Sequence, residues 1–304
     1  MIRFVDFKLA LGETIFGNEV IENEAGWERG QVKLKTGINE RFISSKSSED
    51  LAYKAIKKIK SNEWVREVDL VISVTNTPTT IFPNFSNYAH SFLNLKEDCK
   101  CLGLNSGCTG FVEALELVSF YFENGYKKAL IITYDTYTHF LSKSDYSTRT
   151  LFSDGASVSL LEKDKKQWKI ELSKISTALH SQNNLIMEKK NNTIQMKGTS
   201  VFTFGIKHVK KDLIELISTA PNSICILHQA GKVMLEALIK SLPKNILVPV
   251  NYSGYGNLVS TSIPCLMMEN FQLINNQKSM VMSGFGVGLS SHSLLLKKWL
   301  CSVV

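Results

Sequence analysis

No apolar stretch reaches the roughly 20 residues needed to span the hydrocarbon core. The N-terminus, Met1-Ile2-Arg3-Phe4-Val5-Asp6, lacks the long apolar core of a signal peptide. The expected compartment is the cytoplasm, where Cys99, Cys101, Cys108, Cys225, Cys265 and Cys301 are reduced thiols. Cys99-x-Cys101 has no second ligand pair at zinc-site spacing, so it reads as structural and no metal is expected. A nucleic-acid recognition motif and the interleaving of aromatic with basic residues are also missing. The formal net charge of +7 is therefore not read as a nucleic-acid surface. Its lysine groups, Lys54/Lys57/Lys58/Lys60, Lys189/Lys190 and Lys207/Lys210/Lys211, suit an acidic protein partner or a phosphate-bearing substrate; any one of them also fits an ordinary solvated face.

What is present is core-forming material. Of 304 residues, 44% are hydrophobic, enough for one large domain or two fused halves. Apolar runs expected as buried strands (70–74, 101–104, 129–134, 156–161, 223–227, 279–282, 291–300) alternate with amphipathic stretches expected as helices (51–59 after the capping-type run 47–50, 84–93, 108–124, 201–216, 231–242, and one within 257–270). Charge rises sharply around 162–166, and the strand–helix logic then starts again. This predicts two α/β halves, 1–165 and 166–304, duplicated in structure without a clear sequence repeat. No low-complexity linker separates them, so they are expected to pack as one unit.

The segment 102–111, Leu-Gly-Leu-Asn-Ser-Gly-Cys-Thr-Gly-Phe, places Cys108 between a strand and a strongly helical pattern. A thiol at such an elbow meets unpaired N–H groups and the positive end of the helix dipole, which favour thiolate. Gly107 and Gly110 suggest close approach of backbone and ligand. A small buried Cys packing helix on sheet is the alternative. Three later segments look like its partners. His228 follows a buried strand in Ile-Leu-His-Gln-Ala-Gly; Asn257 sits where a Gly-rich turn feeds a helix; and Gly284-Phe-Gly-Val-Gly288 offers backbone N–H groups for an oxyanion. Each alone has a structural explanation: a core His, a helix cap, a tight turn.

In combination and in this order, Cys108, His228, Asn257 and the final Gly-rich loop resemble the β-ketoacyl-acyl-carrier-protein synthase III enzymes of the thiolase-like superfamily. Thr36-Gly-Ile-Asn-Glu-Arg-Phe-Ile43, Ile81-Phe-Pro83 and Leu151-Phe-Ser-Asp-Gly-Ala156 resemble further family segments. The resemblance implies a thiolase-like fold, with two duplicated α/β halves forming a five-layer α-β-α-β-α core. It implies an acyl group carried on Cys108 and a malonyl- or β-ketoacyl-type thioester that condenses with it by decarboxylation. His228 and Asn257 would donate hydrogen bonds to the enolate, and the backbone N–H groups of Cys108 and Val287 would form the oxyanion hole. Phe82 would reach the acyl pocket of a homodimer partner. Lys207, Lys210, Lys211 and Lys232 would dock an acyl carrier protein. No cofactor is implied beyond phosphopantetheine-linked substrates, with coenzyme A possible as an acyl donor. Asn at 257 cannot act as a general base, which favours carbon–carbon bond formation over the alternative, an acyltransferase passing the acyl group to oxygen or nitrogen.

The chain departs from the family at both positions that stack on the adenine of coenzyme A. Trp27 lies too early for one, with Val32 near that position. Tyr146 replaces the Arg of the other, and Arg149 is out of register. Gly231 also replaces an Asn after His-Gln-Ala. These departures favour carrier-protein delivery and a specialised fatty-acid-derived or polyketide pathway.

Overall fold

The computed structural model describes residues 1–188 and 190–299; Lys189, Leu300 and Cys301 lie outside the described residues. Its strands are β1 Ile2–Leu11, β2 Thr14–Gly17, β3 Glu40–Ile43, β4 Leu70–Val74, β5 Lys100–Leu104, β6 Lys128–Asp135, β7 Gly155–Lys163, β8 Trp168–Thr177, β9 Leu185–Met187, β10 Ile194–Met196, β11 Ile224–Leu227, β12 Ser279–Gly286 and β13 Ser290–Lys298. Nine form one ladder in the order β11-β12-β13-β8-β1-β7-β6-β4-β5. The first half contributes β1-β7-β6-β4, paired antiparallel, antiparallel and parallel, with β5 added parallel at the edge. The second half repeats the scheme with β8-β13-β12-β11, again antiparallel, antiparallel and parallel. Between the halves, β1 and β8 meet through the single pair Ile2–Trp168.

Strands that read as continuous apolar runs are buried on both faces, as β4 (Leu-Val-Ile-Ser-Val) and β12 are at every position. Helices cover them in three layers. The helices Gly110–Glu123 and Ser262–Glu269 lie in the middle, burying Phe111, Val112, Leu115, Ile263 and Leu266 in one core with Ile72, Ile131, Ile226 and Met282 from both halves. On the outer face of the first half, Ser48–Lys57 and Phe85–Leu93 cover the sheet. Helices spanning 198–219 and Lys232–Ile239 do the same for the second. The result is the expected α-β-α-β-α stack of two duplicated halves.

Local signals act as read. Ser47 caps its helix in a reciprocal box with Asp50. The region expected as one helix over 201–216 runs over 198–219 with a π-helical turn at Gly205–Val209. The long strands β1 and β8 and the β9–β10 hairpin were not anticipated.

Candidate active site

The turn from β5 into the central helix is a single 3-10 turn, Gly107–Thr109, with the α-helix starting at Gly110. Gly107 has φ +50°, and a Cβ there would stand 2.1 Å from Asn76 Oδ1. A Cβ on Gly110 would come within 2.3 Å of Val74 Cγ1. Both glycines are therefore demanded by close packing. Cys108 sits between them, 5% exposed. From the other half, β12 runs against it. A side chain at Gly284 would strike the Cys108 carbonyl at 2.5 Å, and one at Gly286 would reach the Cys108 Sγ at 3.1 Å.

Cys108, His228 and Asn257, far apart in sequence, line one cavity of about 480 Å³, together with Phe152, Phe285 and Gly286. His228 follows β11, its backbone N–H donating to Ser283 O at 2.9 Å. Its ring packs edge-on against Phe285, with centroids 5.5 Å apart. Nδ1 has no hydrogen-bond partner among the described residues. Burial drives its pKa down to about 3, so the imidazole is neutral at physiological pH and carries a single ring N–H.

Asn257 is pinned by backbone bonds. Its N–H donates to Leu151 O at 2.8 Å, and its carbonyl accepts from Ser153 N–H at 2.9 Å. Its Oδ1 accepts from the Val259 N–H at 2.9 Å. This is an Asx-type turn one residue ahead of the N-cap Leu258 rather than the helix cap expected from the sequence, and it uses only the oxygen. The Nδ2 donor has no acceptor among the described residues. Val259, a β-branched residue, is held at φ +53° beside it.

Ionisation of Cys108 departs from expectation. Burial, and secondarily the Asp135 carboxylate, push its thiol above the ordinary range. The apolar surroundings outweigh the helix terminus at rest, so the thiol is protonated until a substrate arrives. Asp135, at the end of β6, was not anticipated. Its Oδ1 accepts from the Asn76 N–H at 2.8 Å and Thr75 Oγ1 at 3.1 Å, and its Oδ2 accepts from Ser260 Oγ. Burial nevertheless raises its pKa to about 6. The polar run Thr-Asn-Thr at 75–77 is the sequence signal of this network.

The remaining expected residues divide. Val287 lies beside the Cys108 turn, its Cγ2 3.3 Å from where a Gly107 Cβ would be. Phe82 is 83% exposed and does not line the Cys108 cavity in this chain. Lys232 opens its helix and lines the cavity, as does Lys35, which sequence reasoning passed over. Lys207 and Lys211 are exposed, whereas Lys210 is half-buried.

Trp27 and Tyr146, the aromatic residues that mark the two departures, come together in space. Trp27 packs directly on Tyr146, with ring centroids 5.8 Å apart, and Lys35 Nζ sits 4.4 Å above the Trp27 ring. Arg149 is held away by Glu24 at 2.7 Å. No cluster of three or more metal-ligating side chains occurs among the described residues. Nor is any described helix long and apolar enough to cross a membrane.

Two family models match, 3-oxoacyl-[acyl-carrier-protein] synthase III over residues 102–181 and its C-terminal counterpart over 218–298. The chain is 28% identical over 301 residues to a β-ketoacyl-[acyl-carrier-protein] synthase III of Enterococcus faecalis, covering 92% of each chain. Among solved structures, a 3-oxoacyl-(acyl-carrier-protein) synthase III superposes with a TM-score of 0.88 at 26% identity, covering 97% of this chain and 99% of that one. The priming β-ketosynthase of the R1128 polyketide pathway shares the fold, with a TM-score of 0.84 at 20% identity over 98% and 97% of the two chains.

Proposed function

The chain belongs to the 3-oxoacyl-[acyl-carrier-protein] synthase III family of condensing ketosynthases, and from that premise we propose that it joins a Cys108-bound acyl group to a malonyl- or β-ketoacyl-type thioester on a carrier protein. The observation that carries this reading is the convergence of Cys108, neutral His228 and the unused Asn257 Nδ2 on one cavity.

Cys108 Sγ attacks the thioester carbonyl of the incoming acyl group. A new S–C bond forms, the C–S bond to phosphopantetheine breaks, and the released thiol takes up the proton that Cys108 gives away. The backbone N–H groups of Cys108 and Val287 stabilise the tetrahedral oxyanion. In the second half-reaction the malonyl-type thioester loses carbon dioxide, and negative charge builds on its thioester oxygen. The ring N–H of His228 and Asn257 Nδ2 donate to that oxygen. A neutral imidazole suits this role: it donates without being ready to protonate the carbanion. The carbanion then attacks the acyl-Cys108 carbonyl, forming the carbon–carbon bond and releasing the Cys108 thiolate.

Delivery by an acidic carrier protein is supported by Lys232 on the cavity wall and by exposed Lys207 and Lys211 on the helical segment 198–219, whose first turn lines the same cavity. Coenzyme A is disfavoured because Trp27 and Tyr146 already contact each other, leaving no layer between them for a purine. A second copy of the chain pairs along β5, an unpaired sheet edge among the described residues, and brings its exposed Phe82 to the neighbour's acyl cavity. The division at 165/166 puts Cys108 in one half and His228 with Asn257 in the other, so the site assembles only when the halves pack.

The test is stepwise. Incubation with acyl-carrier proteins should add the acyl mass to Cys108 in intact-protein mass spectra, and malonyl-carrier protein should then discharge it as a β-ketoacyl product. Failure to acylate sinks the enzyme reading. Discharge only by an amine or alcohol selects the acyltransferase.

A further inference from the structure

Asp135 is fully buried at the end of β6, and its hydrogen-bond partners among the described residues are all neutral donors. A buried carboxylate with no cation beside it destabilises a fold unless its hydrogen bonds offset the lost hydration. Those bonds divide between the two halves. Oδ1 accepts from Thr75 Oγ1 at 3.1 Å, the Asn76 N–H at 2.8 Å and Thr77 Oγ1 at 3.3 Å, all in the loop after β4. Oδ2 accepts from Ser260 Oγ, in the 3-10 turn Val259–Thr261 that follows Asn257. Asp135 itself does not line the Cys108 cavity.

Each side of this bridge ends at a reacting group. On one side, the Asn76 side chain packs against Gly107, next to Cys108. On the other, Ser260 directly follows Val259, whose N–H donates to Asn257 Oδ1 at 2.9 Å. That bond fixes the plane of the amide, and the plane fixes where Nδ2 points. The link is strained, because Val259 is β-branched and stands at φ +53°. Released from its anchor, such a residue leaves the left-handed region, and its N–H turns away from Asn257. Ser260 is that anchor, and Asp135 is its acceptor. Thr261 ties the end of the same turn to Thr133 Oγ1 at 2.8 Å, so the turn stays folded when Ser260 alone is changed.

We propose that Asp135 is a positioning residue for condensation: it ties Ser260 to the Cys108 side of the site, so that Asn257 Nδ2 keeps its aim at the enolate oxygen. The inference rests on the ketosynthase reading and goes beyond it by adding a residue that touches no substrate.

The experiment separates the half-reactions. Ser260→Ala cuts the bridge and leaves every Oδ1 bond in place. Loading of Cys108 from octanoyl-carrier protein, followed by intact-protein mass spectrometry, should stay within about threefold of wild type. Condensation of the loaded enzyme with malonyl-carrier protein should lose roughly 10-fold or more in kcat with KM little changed, because a misaimed donor is missed in the transition state. Asp135→Asn keeps the size and the bridge, since its amide can donate to Ser260 Oγ, and condensation should stay within about threefold of wild type. Ser223→Ala removes an equally buried hydroxyl, bonded to Ser279 Oγ at 2.9 Å at the other end of β11 from His228. It reports lost stability alone and should leave both half-reactions at wild-type rates. Four results overturn the inference and leave the ketosynthase reading standing: unchanged condensation in Ser260→Ala, equal losses in both of its half-reactions, an Asp135→Asn as slow as Ser260→Ala, or an equal loss in Ser223→Ala. A wild type that never acquires the acyl mass overturns both.

Discussion

The Cβ that Gly286 lacks would stand 3.1 Å from Cys108 Sγ and 3.0 Å from its Cβ. The end of β12 in one half thus reaches the thiol-bearing turn of the other so closely that a methyl group fits only if Cys108 gives by a few tenths of an ångström. Gly286→Ala has to move Cys108 or shift the adjoining backbone, which carries the Val287 N–H proposed for the oxyanion hole. We expect acyl loading to fall roughly 10²-fold, the scale of losing an oxyanion donor or of a 1 Å misplacement. Loading rates by mass spectrometry, with circular dichroism as a check on folding, measure it; wild-type loading would refute the close-packing argument.

Asn257 gives a sharper test than truncation to alanine. Asn257→Ala removes both the bond from the Val259 N–H and the Nδ2 donor, so it should lower stability by about 1 kcal/mol and slow condensation about 10²-fold or more. Asn257→Asp retains an oxygen for the Val259 N–H but has no N–H of its own. It should spare loading on Cys108 and still lose condensation. Equal losses in both half-reactions would contradict the assigned role.

His228 leaves a thermodynamic signature. Its folded-state pKa of about 3 lies below its ordinary 6.5, so the unfolded chain takes up the proton first as pH falls. Its stability contribution is present in full above pH 6.5 and is lost as pH falls toward 3, at about 1.4 kcal/mol per pH unit. Asp135 runs the other way. Its folded value of about 6 lies above the ordinary 3.8, so its contribution is present below 3.8 and lost as pH rises through 6. The two oppose each other between pH 4 and 6 and flatten the wild-type profile. Removing His228 exposes the slope. The gap in unfolding free energy between wild type and His228→Gln should shrink by about 2–3 kcal/mol from pH 6.5 to 4.5 in denaturant titrations. A gap independent of pH would mean that His228 is not neutral by burial.

Carrier docking predicts a split in kinetic constants. Lys207→Glu and Lys211→Glu should each raise KM for an acyl-carrier protein about 5- to 10-fold at low salt, with kcat little changed, and the effect should fade as salt rises. A small thioester that needs no protein docking should react at wild-type rates. Equal impairment with both substrates would place these lysines in folding instead.

Much of the architecture was legible because periodicity and punctuation agreed. Leu70–Val74 is apolar but for Ser73 and is a buried strand parallel to both its neighbours, and Ser47 with Asp50 announces the helix that follows. The order Cys108, His228, Asn257 and the Gly284–Gly288 loop also located the cavity. Harder to read were residues whose meaning is set by tertiary partners. Asp135 reads as an ordinary strand end until Thr75, Asn76 and Ser260 converge on it. Trp27 and Tyr146 are separated by more than a hundred positions, and only the fold shows their rings in contact. The strand β8 carries alternating Trp168, Ile170 and Leu172 between polar residues, a real but diluted signal beside the charged junction. Ionisation of Cys108 turned on burial depth, which no local sequence pattern encodes.

The helix Gly110–Glu123 is the spine of the molecule, and it touches β4 and β6 of one half and β12 and β13 of the other. The amides of its buried stretch, Phe111 to Val118, can meet solvent only if the strands of both halves come away from it together. Hydrogen exchange along this stretch should therefore proceed only by global opening, on the slowest timescale the protein has. The residue it presents at its N-terminus then keeps its place for as long as the fold lasts.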